Sequence, residues 1–279
     1  MKVPPKPATL LTSPVRLYCY CLLFVITLFT SGCWDLRELQ DRNFIMAAGI
    51  DLANEGKKPG EKADVRQVET FVQDQGGKDY RLSLQLLKLT ATTGTQGEPT
   101  ATPAKTFVIS DTGHSLFEME RDMFGQSSKS LYFEHLNAIV ISENAIKKDG
   151  LRPLLDLFLR DSEMRWRIKI FVTSGEARPI LEFIPPTGES GGKYLAEIIS
   201  NHRKGSHLAG ARTDLGYISQ ALDNSLDVMI PRVEMADKVI KVGGLAVFKH
   251  DQFIGYVNEY VVRGMKMIIA TEKSMLIPV

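Results

Sequence analysis

Leu131–Ser142, LYFEHLNAIVIS, is the most apolar strand candidate of the chain and reads as a strand central in a sheet. On its C-terminal side the pattern turns helical, at Glu143–Lys148 and again at Pro153–Arg160, where a proline opens the helix and its missing N–H costs nothing. Arg165–Thr173 returns to strand. Its alternation sends Trp166, Ile168, Ile170 and Val172 one way and Arg165, Arg167 and Lys169 the other, so one face of that strand is strongly basic. On the N-terminal side, Lys105–Ser110 reads as a strand, followed by a helix capped by Asp111 or Thr112 with Leu116, Met119 and Met123 on one face.

Further outward lie strands at Asn43–Asp51 (NFIMAAGID), Asp64–Gln73 and Tyr80–Leu89. In the last of these Leu82, Leu84 and Leu86 alternate with Arg81, Ser83 and Gln85, as a half-buried sheet face requires. Trp34–Arg42 reads as a short charged helix, and Thr90–Ala104 as a turn-rich loop. Phe183–Gly192, FIPPTGESGG, holds two prolines and three glycines and is the best candidate boundary. Beyond it come an amphipathic helix at Lys193–His202, a helix capped by Thr213, strands at Val228–Met235 and Lys238–His250, a hairpin partner at Phe253–Val257 and a last helix from about Asn258 to Ala270. Mixed strands and helices without a fixed repeat predict an α+β fold of mixed sheets with packed helices. The expected division is 33–187 as an N-terminal domain, 188–237 as a linker and helical connector, and 238–279 as the beginning of an incomplete C-terminal domain.

Composition removes several function classes. The 279 residues are 44% hydrophobic and 24% charged, the profile of a folded chain, and 34 Lys+Arg against 33 Asp+Glu leave a net charge of +1 with no case for nucleic-acid binding. Cysteine occurs only at Cys19, Cys21 and Cys33, so nothing after Cys33 can form a disulfide or a thiolate metal site.

Those cysteines lie in or next to an address. Met1–Arg16 carries Lys2, Lys6 and Arg16 and no acid, Leu17–Leu28 is uncharged and mostly apolar, and small residues lead to Gly32 and Cys33. That is the order of a secretory signal ending as in bacterial lipoproteins, so residues 1–32 are expected to be removed and Cys33 to carry covalent lipid. The plain alternative is an uncleaved membrane anchor, but Leu17–Gly32 is shorter than the about 20 apolar residues a span needs and is diluted by Tyr, Cys, Thr and Ser. Thr30 departs from the aliphatic residue such signals usually place three positions before the cysteine. Trp34, beside the lipid, suits a bilayer interface, with a core anchor for the first helix as the plain alternative.

With these stretches in place, the chain resembles the Ger(x)C family, the lipoprotein C subunits of GerA-type germinant receptors. Four stretches carry the likeness. They are Gly32-Cys33-Trp34-Asp35 with Glu38-Leu39 and Ala48-Gly49-Ile50-Asp51; Gly113–Glu118 with Tyr132–Leu136 and Ile139–Ile141; Leu157–Asp161 with Glu163 and Arg165; and Gly244–Lys249 with Asn258-Glu259 and Arg263-Gly264. The resemblance implies a non-catalytic, lipid-anchored subunit on the outer face of the inner spore membrane. It also implies multi-spanning A-type and B-type partner subunits and no cofactor beyond the lipid on Cys33. Family members look roughly a third longer, so the resemblance also implies that this chain stops short of a further C-terminal domain, with Met275–Val279 as the start of a strand.

Two other classes fit the sequence less well. Gly188-Glu189-Ser190-Gly191-Gly192 matches the G-x-S-x-G pattern of serine hydrolases, but Pro185-Pro186 precedes the serine where a strand should run into it. A solute-binding lipoprotein is usually larger, with two α/β lobes around a cleft, and the strand-rich, antiparallel-looking pattern here fits that poorly; no pocket signature for a nutrient is present. His114, His135, His202, His207 and His250 include no H-E-x-x-H pair, and no phosphate-loop or dinucleotide fingerprint occurs. No metal site and no catalytic residue is expected. The basic residues Arg165, Arg167 and Lys169, near Arg160, are expected on a solvated sheet surface, with acidic headgroups or a partner loop as the alternative.

Overall fold

The computed structural model describes residues 14–29, 41–53, 79–88, 106–200, 213–237 and 239–268. Met1–Asp41 and Arg42–Val279 are separate compact units. In the first, α1 (Pro14–Phe29) is a 16-residue helix. Among the described residues no helix is long and apolar enough to cross a membrane.

The second unit is built on one mixed sheet of nine strands. Its centre is β1 (Arg42–Leu52), which pairs parallel with β5 (Ala138–Ser142), itself parallel to β6 (Lys169–Thr173). On one side β1 pairs antiparallel with β2 (Tyr80–Leu87), and β2 with β3 (Thr106–Gly113). On the other, β6 meets β7 (Val228–Ala236) in parallel at Val172 and Arg232, and a meander adds β8 (Val239–Lys249) and β9 (Gln252–Val257). A short strand β4 (Ser130–Tyr132) runs parallel to the start of β1.

Helices cover both faces, because the central strands are apolar on both. In β5, Ile139 and Ile141 join the larger core with α2 (Leu116–Gly125), α3 (Glu143–Asp149), α4 (Arg152–Arg160) and α7 (Leu215–Asp223). Ala138 and Val140 join the opposite core with Ile180 and Leu181 of α5 (Arg178–Glu182) and Leu195 and Ile199 of α6 (Gly191–Ser200). A last helix, α8 (Glu259–Ile268), sets Val262 against Leu245 and Val257.

Several expectations are corrected. Leu131–Ser142 is not one strand: a 3-10 turn (Phe133–His135) separates β4 from β5, and Asn137 donates its backbone N–H to the Met46 carbonyl (3.0 Å). Asp111 and Thr112 do not cap α2 but pair with Leu82 and Arg81 inside β3, leaving Ser115 at the cap position. Asp214, not Thr213, caps α7, its carboxylate accepting the Tyr217 N–H. Arg165–Ile168 is a turn, because the Trp166 and Ile168 carbonyls accept the Gly216 and Leu215 N–H groups at the start of α7. The basic face predicted for that strand therefore does not exist as a face.

The polar side of β2 is also not solvated. Gln85 is fully buried, donating to the Leu181 carbonyl (2.6 Å) and accepting the Gly192 N–H (3.1 Å), while Ser83 bonds Ser110 across the sheet. These bonds sew Phe183–Gly192 onto the sheet, so the expected boundary lies inside the unit Arg42–Val279, and β8 and β9 extend its sheet. Pro and Gly there mark a tight connection between α5 and α6. The expected strand at Asp64–Gln73, the helix Trp34–Arg42 up to residue 40 and the terminal Met275–Val279 lie outside the described residues.

Candidate functional site

In open sheets with parallel strands a ligand crevice forms beyond the C-terminal ends of those strands. Here β1, β5, β6 and β7 bring Asp51, Glu143, Ser174, Glu176 and Glu234 to that edge, and the protein's own groups occupy it. The Asp51 carboxylate is fully buried and accepts the Ala177 (2.6 Å) and Arg178 (3.1 Å) N–H groups. Arg81 donates to the Ala53 carbonyl (3.2 Å) and faces Glu176 at 3.7 Å. Arg232 donates to Glu234 (2.6 Å), which also takes the Ser174 N–H (2.9 Å), and its guanidinium lies 4.4 Å from the Tyr256 ring centre. Glu143 pairs with Lys147. This edge is a structural closure whose charges are satisfied locally.

The sequence candidates fall in different places. Gly32, Cys33, Trp34 and Asp35 lie outside the described residues. Ser190 is buried, and its hydroxyl accepts the Lys193 N–H (3.3 Å) at the start of α6. A strand does not lead into it, and no hydrogen bond to a histidine occurs among the described residues, so the hydrolase elbow is absent there. His135, exposed in the 3-10 turn, holds its ring centre 4.9 Å from that of Phe44 at a tilt of 54°. His114 bonds Asp79 (2.8 Å), whose carboxyl is held below its ordinary range by Lys148 and then His114. No group of three metal-ligating side chains occurs among the described residues. A cleft of about 220 Å³ at the start of α2, lined by Tyr80, His114, Phe117, Leu154 and Leu157, is smaller than a ligand pocket of ~300 Å³ or more. Its walls belong to one unit, not to the two lobes of a solute-binding protein.

The opposite edge lies at the N-terminal ends of the parallel strands. There the turn 165–168 exposes three consecutive side chains, Arg165, Trp166 and Arg167. Trp166 is 59% exposed although its position in the alternation pointed inward. Arg165 reaches Glu134 of the 3-10 turn at 3.5 Å, and Lys169 reaches Asp214 at 3.7 Å. Arg42, where the chain enters β1, lies 4.1 Å from the Tyr132 ring centre. Arg167 has no ion-pair partner among the described residues. Tryptophan flanked by arginine on both sides was the one sequence signal for exposure, and the apolar alternation masked it.

On α2, Glu120 is pushed up to about 7, first by burial and then by the Asp161 and Glu163 carboxylates. Its folded pKa is raised, so the fold favours the protonated acid. Stability then falls as pH rises from about 4.5 through 7 and the full cost applies above 7. Allowing for solvent screening of a half-buried group, that cost is about 1 kcal/mol. Glu120→Gln is expected to be more stable than the parent by that amount at pH 8 and not at pH 5, measured by urea unfolding. An equal difference at both values would show that the carboxyl does not titrate with folding.

Comparison with known proteins adds a family assignment to this geometry. The family model described as spore germination protein N-terminal domain matches residues 35–235. The chain is 27% identical over 259 residues to spore germination protein YndF of Bacillus subtilis (strain 168), covering 89% of this chain and 60% of that protein. It is 31% identical over 172 residues to spore germination protein KC of the same organism, covering 60% and 37%. It thus spans 60% or less of the length of these relatives. The crystal structure of the GerBC protein aligns with a TM-score of 0.40 at 17% identity, over 74% of this chain and 57% of that one.

Proposed function

The chain belongs to the spore germination protein N-terminal domain family, and from that premise we propose that it is the C-type subunit of a spore nutrient germinant receptor. In this reading it is non-catalytic and carries lipid on Cys33. It sits on the outer face of the inner spore membrane and is needed to assemble a receptor with A-type and B-type multi-spanning subunits. The observation that carries the reading is the position of the family match, which begins at Asp35, two residues after the cysteine of the lipoprotein-like signal, and runs through β7. Tethering holds partners at a high effective concentration, so a modest interface suffices for assembly.

Affinity purification of the tagged protein from detergent-solubilised inner spore membrane, with mass spectrometry, tests this. Two multi-spanning proteins are expected to co-purify, with the bait beginning at a lipidated Cys33. A bait recovered alone would refute the assembly role.

A further inference from the structure

We propose that the edge formed by Arg42, the 3-10 turn and the turn 165–168 is the membrane-facing surface of this protein, with Trp166 seated at an anionic lipid interface. The proposal rests on the tethered reading above.

Three observations converge. Arg42 is nine residues from Cys33, so the start of β1 lies within about 30 Å of the lipid attachment point along even a fully extended chain. The parallel pairing of β1 with β4 and β5, and of β5 with β6, places the starts of all four strands at that same end of the sheet. At this end stands the exposed Trp166, whose backbone is fixed by the Gly216 N–H bonded to its carbonyl (3.0 Å), so the ring projects from a rigid turn. An indole is half apolar with a polar N–H, the composition that concentrates tryptophan at bilayer interfaces.

Charge points the same way. Arg42, Arg165, Arg167 and Lys169 are gathered here against Glu134 and Asp214, which pair with Arg165 and Lys169. Of the other nearby acids, Glu163 accepts the Phe133 N–H (3.3 Å) and Asp161 the Glu163 N–H (2.8 Å), so both are engaged with backbone. By formal charge Glu134, Asp214, Glu163 and Asp161 balance the four bases. But both residues that flank the tryptophan in the exposed turn, Arg165 and Arg167, are basic, and Arg167 has no ion-pair partner among the described residues, so the charge beside the ring is the kind that attracts acidic headgroups. A single exposed apolar residue needs no explanation. An exposed Trp between two arginines, at the end of the sheet the tether enters, does.

The chain holds two tryptophans, so Trp34→Phe leaves Trp166 as the sole reporter. That variant, full-length and lipidated, is reconstituted into vesicles of phosphatidylcholine and phosphatidylglycerol with brominated acyl chains. Trp166 emission is expected to shift to the blue and fall about twofold relative to unbrominated vesicles. Adding Arg165→Glu and Arg167→Glu should abolish the quenching while the protein still floats with the vesicles. Flotation with unquenched, red-shifted Trp166 would overturn this surface and leave the tether standing. Failure to float would overturn both.

Discussion

Gly192→Ala is expected to prevent the chain from folding. A Cβ at this position would stand 2.0 Å from the Met46 carbonyl oxygen, 2.7 Å from its carbon and 3.0 Å from the Ala47 Cβ. The neighbour cannot retreat, because the Met46 carbonyl takes the Asn137 N–H that sets β5 beside β1. Nor can α6 move outward without cost. The Gly192 N–H would leave Gln85 with a buried unpaired oxygen, and Leu195 and Ile199 would withdraw from their core. Backbone overlap in a packed interior costs about 4 kcal/mol or more, against a total stability of about 5–15 kcal/mol. Circular dichroism and urea unfolding should show little or no cooperative fold. Gly264→Ala is the control: it lies in α8 with nothing within 4 Å of its would-be Cβ, and should be neutral or stabilising by about 0.5–1 kcal/mol. Equal losses at the two sites would mean that the close approach of α6 to β1 is not the cause.

That approach joins residues far apart in the chain, which local sequence patterns do not encode. The strands at Asn43–Asp51, Val228–Met235 and Lys238–His250 were legible, because periodicity is local and each strand carries its own. The mixed α+β class followed from them. What failed depended on partners far along the chain. Alternation in β2 is real, yet Gln85 is buried because its partners, Leu181 and Gly192, lie 96 and 107 residues away. Arg81 and Ser83 repeat the lesson with Ala53 and Ser110, 28 and 27 residues distant. A polar face predicts solvent only when nothing else can satisfy it. At Arg165–Thr173 the alternation continued past the true start of β6, because α7, some fifty residues later, takes the carbonyls that a strand would have used. The same long-range bonds turned the expected basic strand face into a projecting turn with an exposed Trp166. The FIPPTGESGG stretch was read as a boundary for a similar reason: Pro and Gly report irregular backbone and carry no information on whether that backbone is buried.

Replacing Cys33 by alanine is expected to cause the largest functional loss. Acyl chains contribute about 0.8 kcal/mol per buried CH₂, so the lipid expected on this residue supplies firm anchoring where one short chain gives only reversible binding. Among the described residues no helix is long and apolar enough to cross a membrane: α1, at 16 residues, is about 24 Å long against a hydrocarbon core of ~30 Å. The cysteine is also expected to direct removal of residues 1–32, so a simple alanine variant would keep that leader. The informative form therefore joins Cys33→Ala to a cleavable secretory leader, and an unaltered Cys33 behind its own leader is the comparison. The untethered chain should appear in the soluble fraction. Losing an effective concentration enhancement of about 10²–10⁴ should lower the nutrient response by at least about tenfold. Restoring the anchor by a heterologous lipoprotein signal should restore both. A soluble variant with a full response would show that the folded unit finds its partners unaided, and the tether would then have no part in assembly. Membrane retention without the lipid would instead place the attachment in the partners or in the edge that carries Trp166, and adding Arg165→Glu and Arg167→Glu would separate the two: release into the soluble fraction assigns it to that edge, continued retention to the partners.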